Sequence, residues 1–390
     1  MDFINLLSSA WPQNNFWANL IKIFDFGSYA WAIILFTVIL KLVLAPLDLT
    51  QRYFTTKTSR AQARLAPQLE KLKRQYGQNQ NLLAQKQNEL YKKEGFGMGS
   101  SCIFMLVYMV VTMVVFLTLF NSLRNVATFK IKNQYNELQK EYAISFNTNY
   151  MPYLGVDAEN VDLTIVYSSA SVVVGEKTFE TLEQEKIASI KAAEGLNDDE
   201  AAAVLNQQKS EYVATAQNLV VEKYKQIKDS WLWVKNVWRA DKATDNSILD
   251  YKSYVASTSD EVGEGVYNTV MGKLLGEESG ENGPNGFYVL SVLVLMVSLL
   301  SQYISRRSTA PKDRNGKPVS QPGAGKVMML LLPAIMVVFT LSSNTIFSVY
   351  ILTNSIVSTL LVPATTAISN VIITKQEKKK QNLVKVDYRR

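Results

Sequence analysis

The chain reads as an all-α polytopic membrane protein: a five-helix transmembrane bundle with a cytosolic helical hairpin and a mixed, mainly helical extracytoplasmic insertion. Three observations predict this. Hydrophobic residues make up 47% of the 390 and are gathered into dense runs at Tyr29–Leu49, Cys102–Phe120, Phe287–Ile304 and Val327–Val362. A bilayer core takes about 20 apolar helical residues to cross, and the last run is long enough for two spans with a break. The second observation is charge. Residues 121–286 hold 16 Lys and Arg against 25 Asp and Glu, a balance of −9, while the rest holds 25 against 9, a balance of +16. The third is what is missing. With no histidine, Ser-His-Asp triads, Cys-His dyads and His-ligated metals are excluded, and the one cysteine, Cys102, cannot form a disulfide within the chain. A Walker A loop fails as well, since Ser320 stands where its first glycine belongs and Val327 follows Gly325-Lys326.

Taken in order, residues 1–28 carry little charge but many aromatics (Trp11, Phe16, Trp17, Phe24, Phe26). Such residues favour the headgroup level, which predicts an N-terminal interfacial helix on the outer leaflet. The first span covers 29–49. Residues 50–97 then form the cytosolic hairpin. Leu65, Leu69, Leu72 and Tyr76 recur at helical spacing, and Leu83 and Leu90 continue a seam after the break Gly77-Gln78-Asn79-Gln80. The second span is 101–120.

The insertion 121–230 opens a helix at the capping box Asn197-Asp198-Asp199-Glu200, running to about Asp229. Short strands are expected at Thr164–Tyr167 and Val172–Val174. Trp231–Arg239 is aromatic and amphipathic, as expected of a helix on the outer membrane surface, and the Gly-rich 262–286 suggests a flexible linker. The third span is 287–305, a basic cytosolic loop follows at 306–326, and the last two spans are 327–342 and 346–370. A basic tail, 371–390, ends the chain. Short basic loops stay in the cytoplasm, so the N-terminus, the acidic region and the Trp-rich segment belong outside and the three basic segments inside. Those basic segments, among them Arg306-Arg307, Lys312, Arg314, Lys317, Lys378-Lys379-Lys380 and Arg389-Arg390, either fix topology or meet anionic lipids and ribosomal RNA.

Lys41 is the most informative position. It lies about 18 Å from the outer end of its span and about 12 Å from the inner end, at about 1.5 Å per residue. A lysine there costs about 2.5–3.5 kcal/mol, against roughly 4–7 from the span's Leu, Ile, Val and Phe side chains, so the helix still inserts. Either the side chain snorkels to the inner headgroups, or it faces a water-filled cavity within the bundle. Thr112 and Thr118 on the second span, Ser298 and Gln302 on the third, and Tyr350, Thr353, Asn354 and Ser358 on the fifth could line that cavity. Lys41 is the one cation among these polar positions, with no intramembrane Asp or Glu as its partner, which argues against a proton relay. A lone cation in a wet groove suits something negative and transient.

These residues resemble the YidC/Oxa/Alb family of membrane-protein insertases, as a bacterial YidC-like member with an unusual outer insertion. Ala32–Leu47, AIILFTVILKLVLAPL, is similar to the family's first core span, with Lys41 where an arginine is usual. Leu90-Tyr91-Lys92-Lys93-Glu94-Gly95 resembles the approach to the second span, and Trp231–Asp241 resembles the outer segment before the third. Met328–Asn354, with Pro333 in place and Tyr350 where many members have tryptophan, resembles the last pair of spans. The likeness covers roughly 29–120 and 231–375. There are departures: the second span lacks a proline near Met109-Val110, Ser343-Asn344-Thr345 replaces a common Pro-Ala-Gly, and 125–230 has no counterpart.

The resemblance implies a hydrophilic groove open to the cytosol and to lipid, lined by Lys41, Gln302 and Tyr350. Polar segments of nascent membrane proteins would enter it and their transmembrane helices pass into lipid, without nucleotide hydrolysis, catalysis or a cofactor. It also implies a multi-pass protein of the bacterial cell membrane, with the ribosome and possible Sec translocon partners, N-terminus outside and C-terminus cytoplasmic. Two other classes compete. A transporter or channel would use Lys41 as an anion site, although the inverted halves common in transporters are not evident. A scaffold would act through its outer domain.

Overall fold

The computed structural model describes residues 15–25, 27–93, 98–157, 161–167, 172–309 and 323–387. Expectations for residues 1–14, for most of the basic loop (Lys312, Arg314, Lys317) and for Arg389-Arg390 lie outside them. The described chain is almost entirely helical and divides into two compact units, one of residues 1–123 with 289–390 and one of residues 124–288.

In the first unit, the short helix α1 (Phe16–Lys22) is capped by the Asn15 side chain, which accepts from the Ala18 amide. Its inward residues Trp17, Ala18 and Ile21 are buried. The Trp17 indole donates to Thr118 Oγ1 at 3.0 Å and meets the Phe36 ring edge-on. Helix α2 (Tyr29–Tyr76) then joins the expected first span and the first hairpin arm in one rod. Gly77 ends it, and α3 (Gln80–Lys93) returns along it with its first turn capped by Asn79. Leu65 is buried, while Leu69, Leu72, Leu83 and Leu90 are half-buried along the seam.

Helix α4 (Met98–Tyr153) starts near the expected second span but does not stop at 120. Between Gly99 and Pro152 it contains neither glycine nor proline, so nothing in the sequence breaks it. Helices α9 (Val289–Thr309), α10 (Gly323–Ser342) and α11 (Thr345–Asp387) complete the unit. Asn344, at the break between α10 and α11, caps α11 by accepting from the Phe347 amide, and its own amide donates to the Leu123 carbonyl. Helix α11 also overruns expectation: the basic segment from 371 continues the rod to Asp387, because no proline or glycine follows Pro363.

Helices α2 and α11 pack along each other, as do α9 and α11, and α9 and α10. Phe116 and Phe120 of α4 meet Phe339 of α10 and Phe347 of α11 at ring separations of 4.9–5.7 Å. Three helices, over Tyr29–Ala61, Ile103–Tyr153 and Thr345–Lys379, are long and apolar enough to cross a membrane; Val289–Ser305 and Pro333–Ser342 are apolar but shorter. Their outward faces carry bare apolar side chains such as Leu42, Val43, Met105, Met113 and Leu360. In water such a surface would be an aggregation liability; against acyl chains it is the expected exterior.

In the second unit, α5 (Phe179–Glu194), α6 (Asp198–Ile227), α7 (Tyr251–Thr258) and α8 (Glu264–Leu275) pack with the later part of α4 around buried tyrosines. The capping box is present: Asn197 accepts from the Glu200 amide, and Glu200 accepts from the Asn197 amide. The strand pair is small, β1 (Val173–Val174) against β2 (Lys177–Thr178). Thr164–Tyr167 forms no strand; Asp162 draws the Thr164 amide and hydroxyl into a turn.

Two further expectations are corrected. Residues 262–286 are not a flexible linker: α8 occupies their first half, burying Tyr267, Val270, Met271 and Leu274 at helical spacing. Trp231–Arg239 is not an amphipathic helix. Trp231 and Val234 pair across a tight turn with Leu232 at φ 51, and Val234, Val237 and Trp238 face inward. Asn285 accepts from the Asn236 amide and donates to the Asn236 and Ala240 carbonyls, while Asn236 donates to the Ser247 carbonyl. Side-chain amides have here taken the backbone groups that a helix would have used.

Candidate functional site: a polar cluster within the apolar bundle

On α2, Lys41, Asp48 and Arg52 stand seven and four residues apart, so they share one face of the helix. The Lys41 ammonium lies 3.5 Å from Asp48 Oδ2, with the two side chains 14% and 17% exposed. Tyr108 of α4 donates to the other carboxylate oxygen, Oδ1, at 2.8 Å. One turn further along α2, the Arg52 guanidinium donates to Ser305 Oγ of α9 at 2.6 Å. One carboxylate thus joins a cation on its own helix to a hydroxyl on a second, and the next cation reaches a third.

This arrangement corrects the expectation of a lone cation. Asp48 lies in the last turn of the expected first span, and two helical turns bring it over Lys41. Removing either member of such a partly buried pair leaves a charge without its partner, which is costly. The three formal charges, two positive and one negative, leave the cluster with a net +1.

The other expected site residues fall into two groups. Ser298 and Gln302 are half-buried on α9 and, with Ser305, recur at four- and three-residue spacing on one face, the face that Arg52 meets. Thr112 is one turn from Tyr108 on α4, but its hydroxyl donates back to the Tyr108 and Met109 carbonyls. It therefore offers a visitor only acceptor lone pairs, its proton being taken. Tyr350 is buried, 5% exposed, beside Phe347 in the aromatic layer. Asn354, one turn on, is half-buried on α11. The hydrogen bonds bring together Lys41, Asp48, Arg52, Tyr108 and Ser305, of which only Lys41 was singled out from sequence. The signal for Asp48 was its i+7 spacing from Lys41; nothing in the sequence marks Tyr108.

A second polar cluster fastens the far parts of α2 and α11. Arg60 donates to Asn370 Oδ1 at 2.8 Å, to Thr374 Oγ1 at 3.3 Å and to Glu377 Oε2 at 3.3 Å. Tyr53 donates to Gln376 Oε1 at 2.8 Å. Among the described residues, no three His, Cys, Asp or Glu side chains are grouped to hold a metal ion.

Apolar rods with outward hydrophobic faces and one interior charged cluster define the class: a polytopic α-helical membrane protein. Residues 21–190 match the family model described as 60Kd inner membrane protein, the family of the YidC, Oxa1 and Alb3 proteins. The chain is similar to the membrane protein insertase YidC of Azotobacter vinelandii, 40% identical over 81 residues, which is 21% of this chain and 14% of that protein. The same insertase of Stenotrophomonas maltophilia is 38% identical over 81 residues, again 21% of this chain and 14% of the relative. That of Fusobacterium nucleatum is 32% identical over 81 residues, 21% of this chain and 38% of its own length. The matches thus span well under half of these relatives. No solved structure matches the chain. The expected likeness to YidC-type membrane insertases, rather than to an enzyme, is found. The family match runs through residue 190, into the insertion thought to have no counterpart, and stops short of the expected likeness over 231–375.

Proposed function

We propose that the protein is a membrane-protein insertase of the bacterial cell membrane. In this reading five spans cross the bilayer, with the N-terminus and residues 121–286 outside and the hairpin, the basic loop and the tail inside. Polar segments of nascent membrane proteins enter a groove open to the cytosol, beside Lys41, Ser298 and Gln302, with Thr112, Tyr350 and Asn354 on neighbouring helices. The transmembrane helices of the client then pass into lipid. No nucleotide is consumed. The basic segments meet the ribosome and anionic lipids, and the protein works alone or beside the Sec translocon.

The observation that carries this reading is the meeting of three polar helix faces within otherwise apolar rods, in a chain whose residues 21–190 match the 60Kd inner membrane protein family model. A polar segment crossing next to fixed charges and hydroxyls keeps hydrogen-bond partners that acyl chains cannot offer. The cost of bringing it across falls with the length of purely apolar path that remains. A positive cluster favours acidic client segments in particular.

The test is complementation in cells that depend on this protein, with Lys41→Arg, Lys41→Ala and Lys41→Glu. Arginine should support growth, alanine should weaken it, and glutamate, placed against Asp48, should fail. Glutamate working as well as arginine would refute charge attraction. Solute flux in reconstituted vesicles without any effect on client insertion would favour a transporter instead.

A further inference from the structure

We infer that Asp48 is a built-in competitor for the client: its carboxylate occupies Lys41 at rest and sets how acidic a segment must be to enter. This rests on the insertase reading and names the residue that tunes it.

The geometry separates a tight contact from a loose one. Charge-assisted N–H to carboxylate bonds close to about 2.7–2.9 Å. The Lys41–Asp48 contact stands at 3.5 Å, whereas Tyr108 holds the other oxygen at 2.8 Å. Asp48 is therefore anchored by α4 and only leans on Lys41. The lysine side chain is not sealed off either, with 14% of its surface open. An incoming carboxylate meets a cation whose present partner is the same chemical group, held off its best distance by a third residue. Exchange of one carboxylate for another leaves the number of ion pairs at Lys41 unchanged, so a client gains only the difference in contact quality. Arg52, at i+4 from Asp48 and bonded to Ser305, stays behind to partner the displaced carboxylate.

Two substitutions move this balance in opposite directions. Asp48→Asn removes the competing charge and leaves Lys41 to the client. Tyr108→Phe removes the anchor, so Asp48 turns fully onto Lys41 and competes harder. The experiment uses the full chain in vesicles with a photo-crosslinking probe at 302, and stalled clients identical except for none, one or three carboxylates in the entering segment.

Crosslinking of the one-carboxylate client should rise about 1.5- to 5-fold in Asp48→Asn, the factor expected of a partly exposed ion pair, and fall in Tyr108→Phe. Each change is read relative to the uncharged client in the same variant, and Asp48→Glu should keep the parent's ratio. If Lys41→Gln abolishes the preference for acidic clients while the Asp48 and Tyr108 variants leave it intact, the competition is wrong and the groove reading survives. If Lys41→Gln leaves the preference intact, the groove reading itself fails. Equal loss for all three clients in Asp48→Asn would make Asp48 a packing residue and overturn the inference.

Discussion

The two units handle polarity in opposite ways. Along the apolar spans of residues 1–123 with 289–390, bare apolar side chains point outward, while Lys41, Asp48 and Arg52 lie on one shared face, where Asp48 meets α4 and Arg52 meets α9. In residues 124–288 most charged side chains lie at the surface, with Asp241 a buried exception, and aromatic rings fill much of the interior. Tyr135, Tyr254 and Tyr267 meet at ring separations of 4.9–5.0 Å, and a second group runs from Tyr142 through Phe146 and Tyr150 to Phe179. Tyrosine suits that interior because its ring buries area while its hydroxyl reaches a partner at the rim, as Tyr150 does with Glu183 and Tyr254 with Asp260. A burial rule learned from one unit therefore misleads in the other: what counts as inside depends on the solvent each unit meets.

The largest effect that could break this contrast is loss of an aromatic from the second unit. Tyr267 is 1% exposed and donates to the Leu249 carbonyl, so Tyr267→Ala should cost about 3–5 kcal/mol. Proteolysis of the full chain should then open sites within 124–288 and leave the apolar rods protected. Somewhat smaller is a charge on an outward face. Met113→Asp on α4 should cost about 2.5–3.5 kcal/mol of membrane insertion. Leu219→Asp, on the exposed side of α6, should change stability by no more than about 0.5 kcal/mol. Equal tolerance at the two positions, read from membrane-fractionated yield, would erase the distinction.

Asn197→Ala removes the capping box of α6 and should lower the stability of the second unit by about 1 kcal/mol, visible as a lower melting point. The mildest effect is acid. Hydrogen bonds from Ser253 hold the Asp250 carboxyl below the usual carboxylate range. Burial pushes Asp260 up, but bonds from Lys132 and Tyr254 outweigh it and leave that group low as well. Depressed carboxylates stabilise the folded form above their unfolded pKa, so this contribution fades as pH falls through the folded values. The second unit should soften toward acid pH, and Asp250→Asn should flatten part of that slope in a pH series of proteolysis rates.

Much of the bundle was legible from sequence because apolar runs are long-range signals that need no partner to be read. The capping box was legible for the opposite reason, being complete within four residues. Features set by distant partners were not. Asn285 turns the Trp231–Arg239 segment away from a helix across some fifty residues of chain, and no local pattern announces it. In 262–286 the glycines suggested looseness, yet the spacing of Tyr267, Val270, Met271 and Leu274 was the stronger signal. At the site, composition marked Lys41 as anomalous. Asp48 sits near the expected end of the span, where a carboxylate is commonplace, and its pairing shows only once helical phase is counted.

The clasp around Arg60 ties the fate of the hairpin to the end of the chain. Singly, such exposed pairs contribute little, but here one guanidinium engages three successive turns of α11 while Tyr53 holds a fourth point. Clipping the protein back to residue 369 would take away every one of those handholds at once. The base of α2 would then swing on its own, though not a single atom of the hairpin had been altered.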